Sequence, residues 1–287
     1  MALLAPAGPL RSPTELSASI AHARSLGWEP IPGSHALRHD GYLAGTDAER
    51  LVDLNGALRD DRIDGIWCVR GGYGAMRLLP GVDYDAMRHR PKALIGYSDV
   101  TALHAAFATR SDVVTYHGPT ARGELSAFSR ESLLRATIEQ GDSCGAARAA
   151  RTLRPGRAAG RLVGGNLSLL AALAGTPYAP VYEDAILVLE DVGEPNYRID
   201  RMLRQLALSG ALSKLAGIAF GQFTEGSDPG DGNAGSLDSV LREAADIAAV
   251  PTLAGIPLGH VGEQWTIPLG ARAELDAERH ELNVVPS

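Results

Sequence analysis

Cysteine is scarce in the 287 residues: Cys68 and Cys144 lie far apart, with neither a Cys-x-x-Cys pair nor Cys/His metal spacing. A disulfide framework and a structural zinc are therefore not expected, and a reducing cytoplasm suits the chain. No apolar run approaches the roughly 18 residues that cross a bilayer, so no membrane partner is expected. Residues 1–8 (MALLAPAG) lack a basic n-region ahead of Pro9 and read as a first buried strand rather than a signal peptide. Aromatic residues make up 5% and the net charge is -7, which supplies neither a phosphate-neutralising surface nor a row of stacking rings. Nucleic acid is not an expected partner. An HExxH zinc motif is absent and no internal repeat is visible, so neither metal nor cofactor is expected.

What is present is an ordinary globular composition, 45% hydrophobic and 21% charged, in a chain long enough for two domains. Ser12-Pro13-Thr14-Glu15 reads as a helix start with cap, first-turn proline and third-position glutamate, and Thr46-Asp47-Ala48-Glu49 repeats the capping box. Apolar strand runs at residues 1–8, 62–69 and 93–95 alternate with these helices, implying right-handed crossovers and a mainly parallel sheet. The expected fold class is α/β. The expected organisation is an α/β domain over residues 1–120, a connection over 121–160 where the periodicity weakens, and a second domain over 161–287. The acidic stretch 225–235 (EGSDPGDGNAG) has the composition of a calcium loop but not its ligand ladder, and reads as a solvated loop.

Residues 92–107 (KALIGYSDVTALHAAF) carry the clearest chemical signal, with an apolar strand, a turn at Gly96-Tyr97-Ser98-Asp99 and then helical spacing. A serine at such a turn points toward helix N–H groups that can receive an oxyanion, which makes Ser98 a candidate nucleophile. The same position suits a helix N-cap, and Val100 stands where the second glycine of a Gly-x-Ser-x-Gly elbow would fall. Local pattern leaves both readings open. Upstream, Arg70-Gly71-Gly72-Tyr73-Gly74 follows a strand and can bring backbone N–H groups close to an anion, although Arg77 and the absence of a Walker lysine exclude the common nucleotide fingerprints. Glu190-Asp191 ends the apolar run 185–189. Among eight histidines, His117 and His260 each follow a strand; His117 reads equally as a group that satisfies backbone near the sheet edge.

Taken together, RGGYGAMRLLP, KALIGYSDVTALH, YHGP, GRLVGGNLSLL, AGTPY, LVLEDVGEPNYRIDRML and GIPLGH…IPLG resemble the L,D-carboxypeptidase family of serine peptidases over almost the whole chain. The resemblance implies a flavodoxin-like or glutamine-amidotransferase-like parallel-sheet domain, followed by a swivelling β/α domain. It also implies a triad of Ser98 as nucleophile, Glu190 as orienting acid and His260 as base, with Gly71, Gly72 and the Asp99 N–H as the oxyanion hole. A carboxypeptidase must bind a free carboxylate, for which Arg70 or Arg77 is available, with Tyr73 beside them. The implied function is release of terminal D-alanine from cytoplasmic murein tetrapeptides during cell-wall recycling, by a homodimer. Two alternatives remain: the microcin-immunity branch, which cleaves peptidyl or aminoacyl nucleotides, and a non-catalytic peptide-binding protein on the same scaffold.

Overall fold

The computed structural model describes residues 1–226 and 236–285; most of the acidic 225–235 loop lies outside the described residues. Strands β1 (Ala2–Leu4), β2 (Ile31–Pro32), β3 (Gly65–Cys68), β4 (Ala93–Gly96) and β5 (Thr115–His117) pair in parallel in the order β2-β1-β3-β4-β5. That is a flavodoxin-like order, in which the crevice beyond the strand ends at the β1/β3 switch point is the usual place for a ligand. Helices α1 (Pro13–Ser25) and α2 (Asp47–Arg59) begin as their sequences dictate. Ser12 Oγ accepts from the Glu15 N–H at 3.3 Å, and Thr46 and Glu49 form a reciprocal capping box.

Two short helices, α3 (Ala75–Leu78) and α4 (Tyr84–His89), lead to α5 (Thr101–Ser111), whose apolar residues pack into the sheet with Leu103 and Phe107 fully buried beside Leu94 and Leu78. The stretch expected as a connection is itself structured. It holds α6 (Ala127–Leu134) and two strands of the second sheet, β6 (Gly145–Ala146) and β7 (Arg151–Arg154).

The second sheet is built around four parallel strands, β8 (Arg157–Asn166), β9 (Ala185–Val192), β10 (Gly217–Thr224) and β11 (Thr252–Ala254). Helices α7 (Leu167–Leu173), α8 (Asn196–Leu208) and α9 (Leu237–Ala248) join them, burying Ile199, Leu203 and Leu241 against Leu187, Leu189 and Phe220. The chain then crosses back: β12 (Ile267–Leu269) pairs antiparallel with β5 of the first sheet, before β13 (Arg272–Asp276) and β14 (Glu281–Val284) complete the second. The order of the second sheet is β6-β14-β13-β8-β9-β10-β11-β7. Through β12 the two domains share a strand, and the ends of β4, β5, β8 and β9 are brought together. No helix of the described residues is long and apolar enough to cross a membrane.

Candidate active site

The turn leaving β4 is strained at one residue. Ser98 has φ +62°, a left-handed conformation that a side chain adopts only when the surroundings impose it. A helix N-cap has extended backbone angles, and neither the 3-10 turn Ser98–Val100 nor α5 takes a side-chain capping bond. The cap reading of Ser98 is thus corrected. A backbone forced into this corner at the junction of strand and helix lifts the hydroxyl out of the turn, as a nucleophile elbow does.

Gly71 lies directly against the serine. A Cβ at Gly71 would stand 3.0 Å from Ser98 Cβ and 3.3 Å from its Oγ, so any larger residue would press on the serine. Gly71 O accepts from the Gly8 N–H at 2.9 Å, which binds the loops after β1 and β3 together, and Gly72 takes φ +110°. The Asp99 side chain ties the same loop to the elbow by accepting from the Ala75 N–H at 2.7 Å. Burial pushes the Asp99 carboxyl up to about 6, against the pull of the Ala75 and Gly74 N–H groups and of Arg50. Sequence reasoning singled out the Asp99 backbone and missed this anchoring by its side chain.

In the second sheet, Glu190 and Asp191 sit within β9 and are both buried, not solvated at a strand end. Alternation along the strand turns them toward different neighbours, although both receive the Asn166 amide. Asp191 accepts from Ser168 N–H and Oγ–H at 2.9 and 2.8 Å and from Asn166 Nδ2 at 2.9 Å, fixing the start of α7. Glu190 Oε2 instead accepts a hydrogen bond from His260 Nδ1 at 2.8 Å. A carboxylate at Nδ1 selects the tautomer with the proton there and leaves Nε2 free as a base. The loop carrying His260 can approach only because Gly259, at φ +114°, has no Cβ; one would lie 2.8 Å from Glu190 Oε2.

The second Glu190 oxygen is contacted by Asn166 Nδ2 at 3.2 Å and faced by His117 Nε2 at 3.9 Å. Burial raises the Glu190 carboxyl, but the facing imidazoles of His117 and His260 outweigh it and bring it down to about 2. Asn166 was missed in the sequence, where its only signal is an N-cap residue before a Leu-rich helix; its Oδ1 does cap α7. The reading of His117 as a group that satisfies backbone is also corrected, because both of its buried ring nitrogens lack a hydrogen-bond partner.

Tyr97 joins the two halves. Its ring lies 4.7 Å from that of His260, which sets the imidazole beside the residue preceding Ser98. Among the described residues no hydrogen bond joins Ser98 Oγ to His260; such contacts commonly tighten only with substrate in place. The expected substrate-binding side chains separate. Arg70 donates to Pro9 O at 2.7 Å, close to the glycine loop and amid the charges of Arg11, Arg122 and Glu15. Arg77 is engaged by Asp47 through 2.9 and 2.8 Å contacts. Tyr73 is 52% exposed and packs edge-on against Tyr42 with ring centroids 5.3 Å apart. No group of side chains suited to a metal ion occurs among the described residues.

A serine with φ +62° at a strand–helix turn and a buried carboxylate bonded to a partly exposed imidazole from the second sheet are the kinds of groups a hydrolase uses. Models of the LD-carboxypeptidase N-terminal and C-terminal domains match residues 1–118 and 159–275. A Streptomyces coelicolor protein assigned by name to the carboxypeptidases is 41% identical, covering 99% of this chain and 92% of its own. The murein tetrapeptide carboxypeptidase of Pseudomonas aeruginosa is 36% identical, over 97% and 94%. The crystal structure of muramoyltetrapeptide carboxypeptidase from Oxalobacter formigenes superposes with a TM-score of 0.88 at 29% identity, covering 99% of this chain and 97% of that one. A more distant relative, the microcin C7 self-immunity protein of Escherichia coli, is 27% identical over 90% of this chain and 84% of its own. The chain belongs to the LD-carboxypeptidase family and is a carboxypeptidase.

Proposed function

We propose that this carboxypeptidase works as a serine enzyme on murein tetrapeptides, releasing the terminal D-alanine in cytoplasmic cell-wall recycling, with Ser98, His260 and Glu190 as its triad. The observation that carries the reading is the 2.8 Å His260–Glu190 bond, whose imidazole lies against the tilted ring of Tyr97, next in the chain to a serine held at φ +62°. His260 Nε2 takes the Ser98 proton as Oγ attacks the scissile carbonyl, and the ionised Glu190 stabilises the imidazolium that forms. The developing oxyanion is received by N–H groups of Gly71 or Gly72 and of Asp99, the glycines being those packed against Ser98. His260 then returns the proton to the leaving amine of D-alanine, and water, activated by the same imidazole, hydrolyses the acyl-enzyme. The substrate's free carboxylate is assigned to Arg70, which lies beside the glycine loop, rather than to Arg77, whose guanidinium is occupied by Asp47.

The murein substrate follows the name of the 36% identical Pseudomonas relative. The relationship to a microcin self-immunity protein favours a second reading, cleavage of a peptidyl or aminoacyl nucleotide. The low aromatic content leaves little material for stacking a nucleobase, which favours the peptide. A homodimer, as the family resemblance implies, is the proposed assembly. Turnover of an L,D-tetrapeptide compared with a peptidyl nucleotide tests the assignment. Preferential release of D-alanine is expected; preferential nucleotide cleavage would replace it, and neither activity, together with no labelling by a fluorophosphonate, would leave a peptide-binding protein.

A further inference from the structure

Glu190 lies between two imidazoles, of which the triad uses one. His260 takes Oε2; the other oxygen, Oε1, is faced by His117 at the end of β5. His117 is completely buried, and neither ring nitrogen has a hydrogen-bond partner. An imidazole sealed from water with both polar atoms unmatched is costly, and an apolar side chain would have filled the space without that cost. Its surroundings hold it in place. Gly165 of β8 packs against the ring, where a Cβ would stand 3.2 Å from His117 Cδ2, and Ile267 of β12 pairs with it across the sheet.

We propose that His117 is a positioning residue for Glu190, presenting an Nε2–H to the carboxylate oxygen that His260 does not take. The proposal rests on the reading of Glu190 as the acid of a serine triad. The gap of 3.9 Å closes to a hydrogen bond with a movement of about 1 Å, the scale of adjustment that separates a free site from one closed on substrate. Held from both sides, together with Asn166, the carboxylate cannot rotate away from His260, so the base keeps the tautomer and direction that Ser98 requires.

The groups facing His117 from each packed element leave Glu190 as the natural partner. From α5 comes His104, with ring centroids 6.2 Å apart. Its Nε2 donates to Gly96 O at 2.8 Å and its Nδ1 accepts from Thr115 Oγ1 at 2.9 Å, while burial pushes it down to about 3, so it is neutral. From the elbow comes the edge of the neutral Tyr97 ring at 6.1 Å. From β8 comes the uncharged amide of Asn166, with Asp191 beyond it and engaged by Ser168. Burial pushes Tyr97 up, so it carries no charge near neutral pH.

The test compares His117→Asn with His117→Gln. Asparagine can donate only near the Nδ1 position, whereas glutamine extends a donor to the Nε2 position. For release of D-alanine from an L,D-tetrapeptide, His117→Asn is expected to lower kcat by roughly 10- to 100-fold with KM nearly unchanged, since misplacement of about 1 Å costs on that order. The acid limb of its kcat/KM profile should move to higher pH by about one unit, because Glu190 then spends its charge on His260 alone. His117→Gln should recover most of both. In a Glu190→Gln background, His117→Asn should have no further kinetic effect. Equal activity and superimposable pH profiles for the two folded variants would overturn the proposal. So would additive losses in the double variant, which would leave Glu190 a triad member and His117 a packing residue. Wild-type activity in Glu190→Gln alone would instead remove the triad reading on which the proposal stands.

Discussion

Glu190 and His260 meet at 2.8 Å across a loop that exists because residue 259 is glycine, while Asp191, the neighbouring acid, faces away toward Ser168 and the start of α7. The alternation of one strand thus turns two adjacent carboxylates toward different neighbours, Glu190 to His260 and Asp191 to Ser168. Glu190→Gln should retain the fold and lower kcat by about 10³- to 10⁴-fold, because an amide neither stabilises the imidazolium nor enforces its tautomer. Asp191→Asn should mainly lower the unfolding midpoint. Steady-state kinetics and thermal unfolding of the two variants check the division; the opposite pattern would exchange their roles.

Gly259 supplies a steric test of the same contact. Alanine there would need a strained φ of +114° and would press its Cβ to 2.8 Å from Glu190 Oε2. Gly259→Ala is expected to cost at least about 100-fold in kcat, with a smaller effect on KM. Activity close to the parent's would mean that the loop can move without consequence for the chemistry.

Asp99 sets a pH dependence whose sign follows from its environment. The carboxyl goes from an ordinary 3.8 to about 6 on burial, so the fold favours its protonated form. That contribution is complete below about pH 4 and is lost as pH rises through 6. Asp99→Asn keeps an oxygen for the Ala75 N–H without the buried charge. Its stability relative to the parent should therefore improve between pH 4 and pH 7, by up to about 3 kcal/mol on the scale of 1.4 kcal/mol per pH unit. Denaturant unfolding at the two pH values measures this; a constant difference would show that Asp99 ionises without penalty.

The outline of the fold was legible because capping signals are local. Ser12-Pro13 and Thr46-x-x-Glu49 start helices within one turn of chain, and short β-branched and leucine runs such as residues 185–189 read as buried strand. The return of Ile267–Leu269 to the first sheet was not, since no local property of a three-residue strand states which sheet edge is open. The site divides similarly. Ser98, Glu190 and His260 stand in ordered motifs that a sequence displays, whereas serine before a helix is locally indistinguishable from a cap until its φ is known. The contacts of Asn166 and His117 with Glu190 span 24 and 73 residues of chain, and only the folded arrangement of β5, β8 and β9 brings them about.

Carboxylate recognition separates the two arginines. Arg70→Ala should raise KM for the free-acid tetrapeptide by at least about tenfold, and should not further impair the C-terminal amide, which has no charge to lose. Arg77→Ala breaks an exposed pair with Asp47 and should change either substrate's KM little. A selective effect of Arg77→Ala on the free acid would reverse the assignment.

The central claim, that Ser98 is the attacking group, is tested most directly by Ser98→Ala, assayed for D-alanine release from an L,D-tetrapeptide alongside its unfolding midpoint. The account predicts a loss of at least about 10⁴-fold in kcat in a protein as stable as the parent or more so, since alanine removes the hydroxyl and no capping bond. A folded Ser98→Ala protein that releases D-alanine at the parent's rate would contradict it.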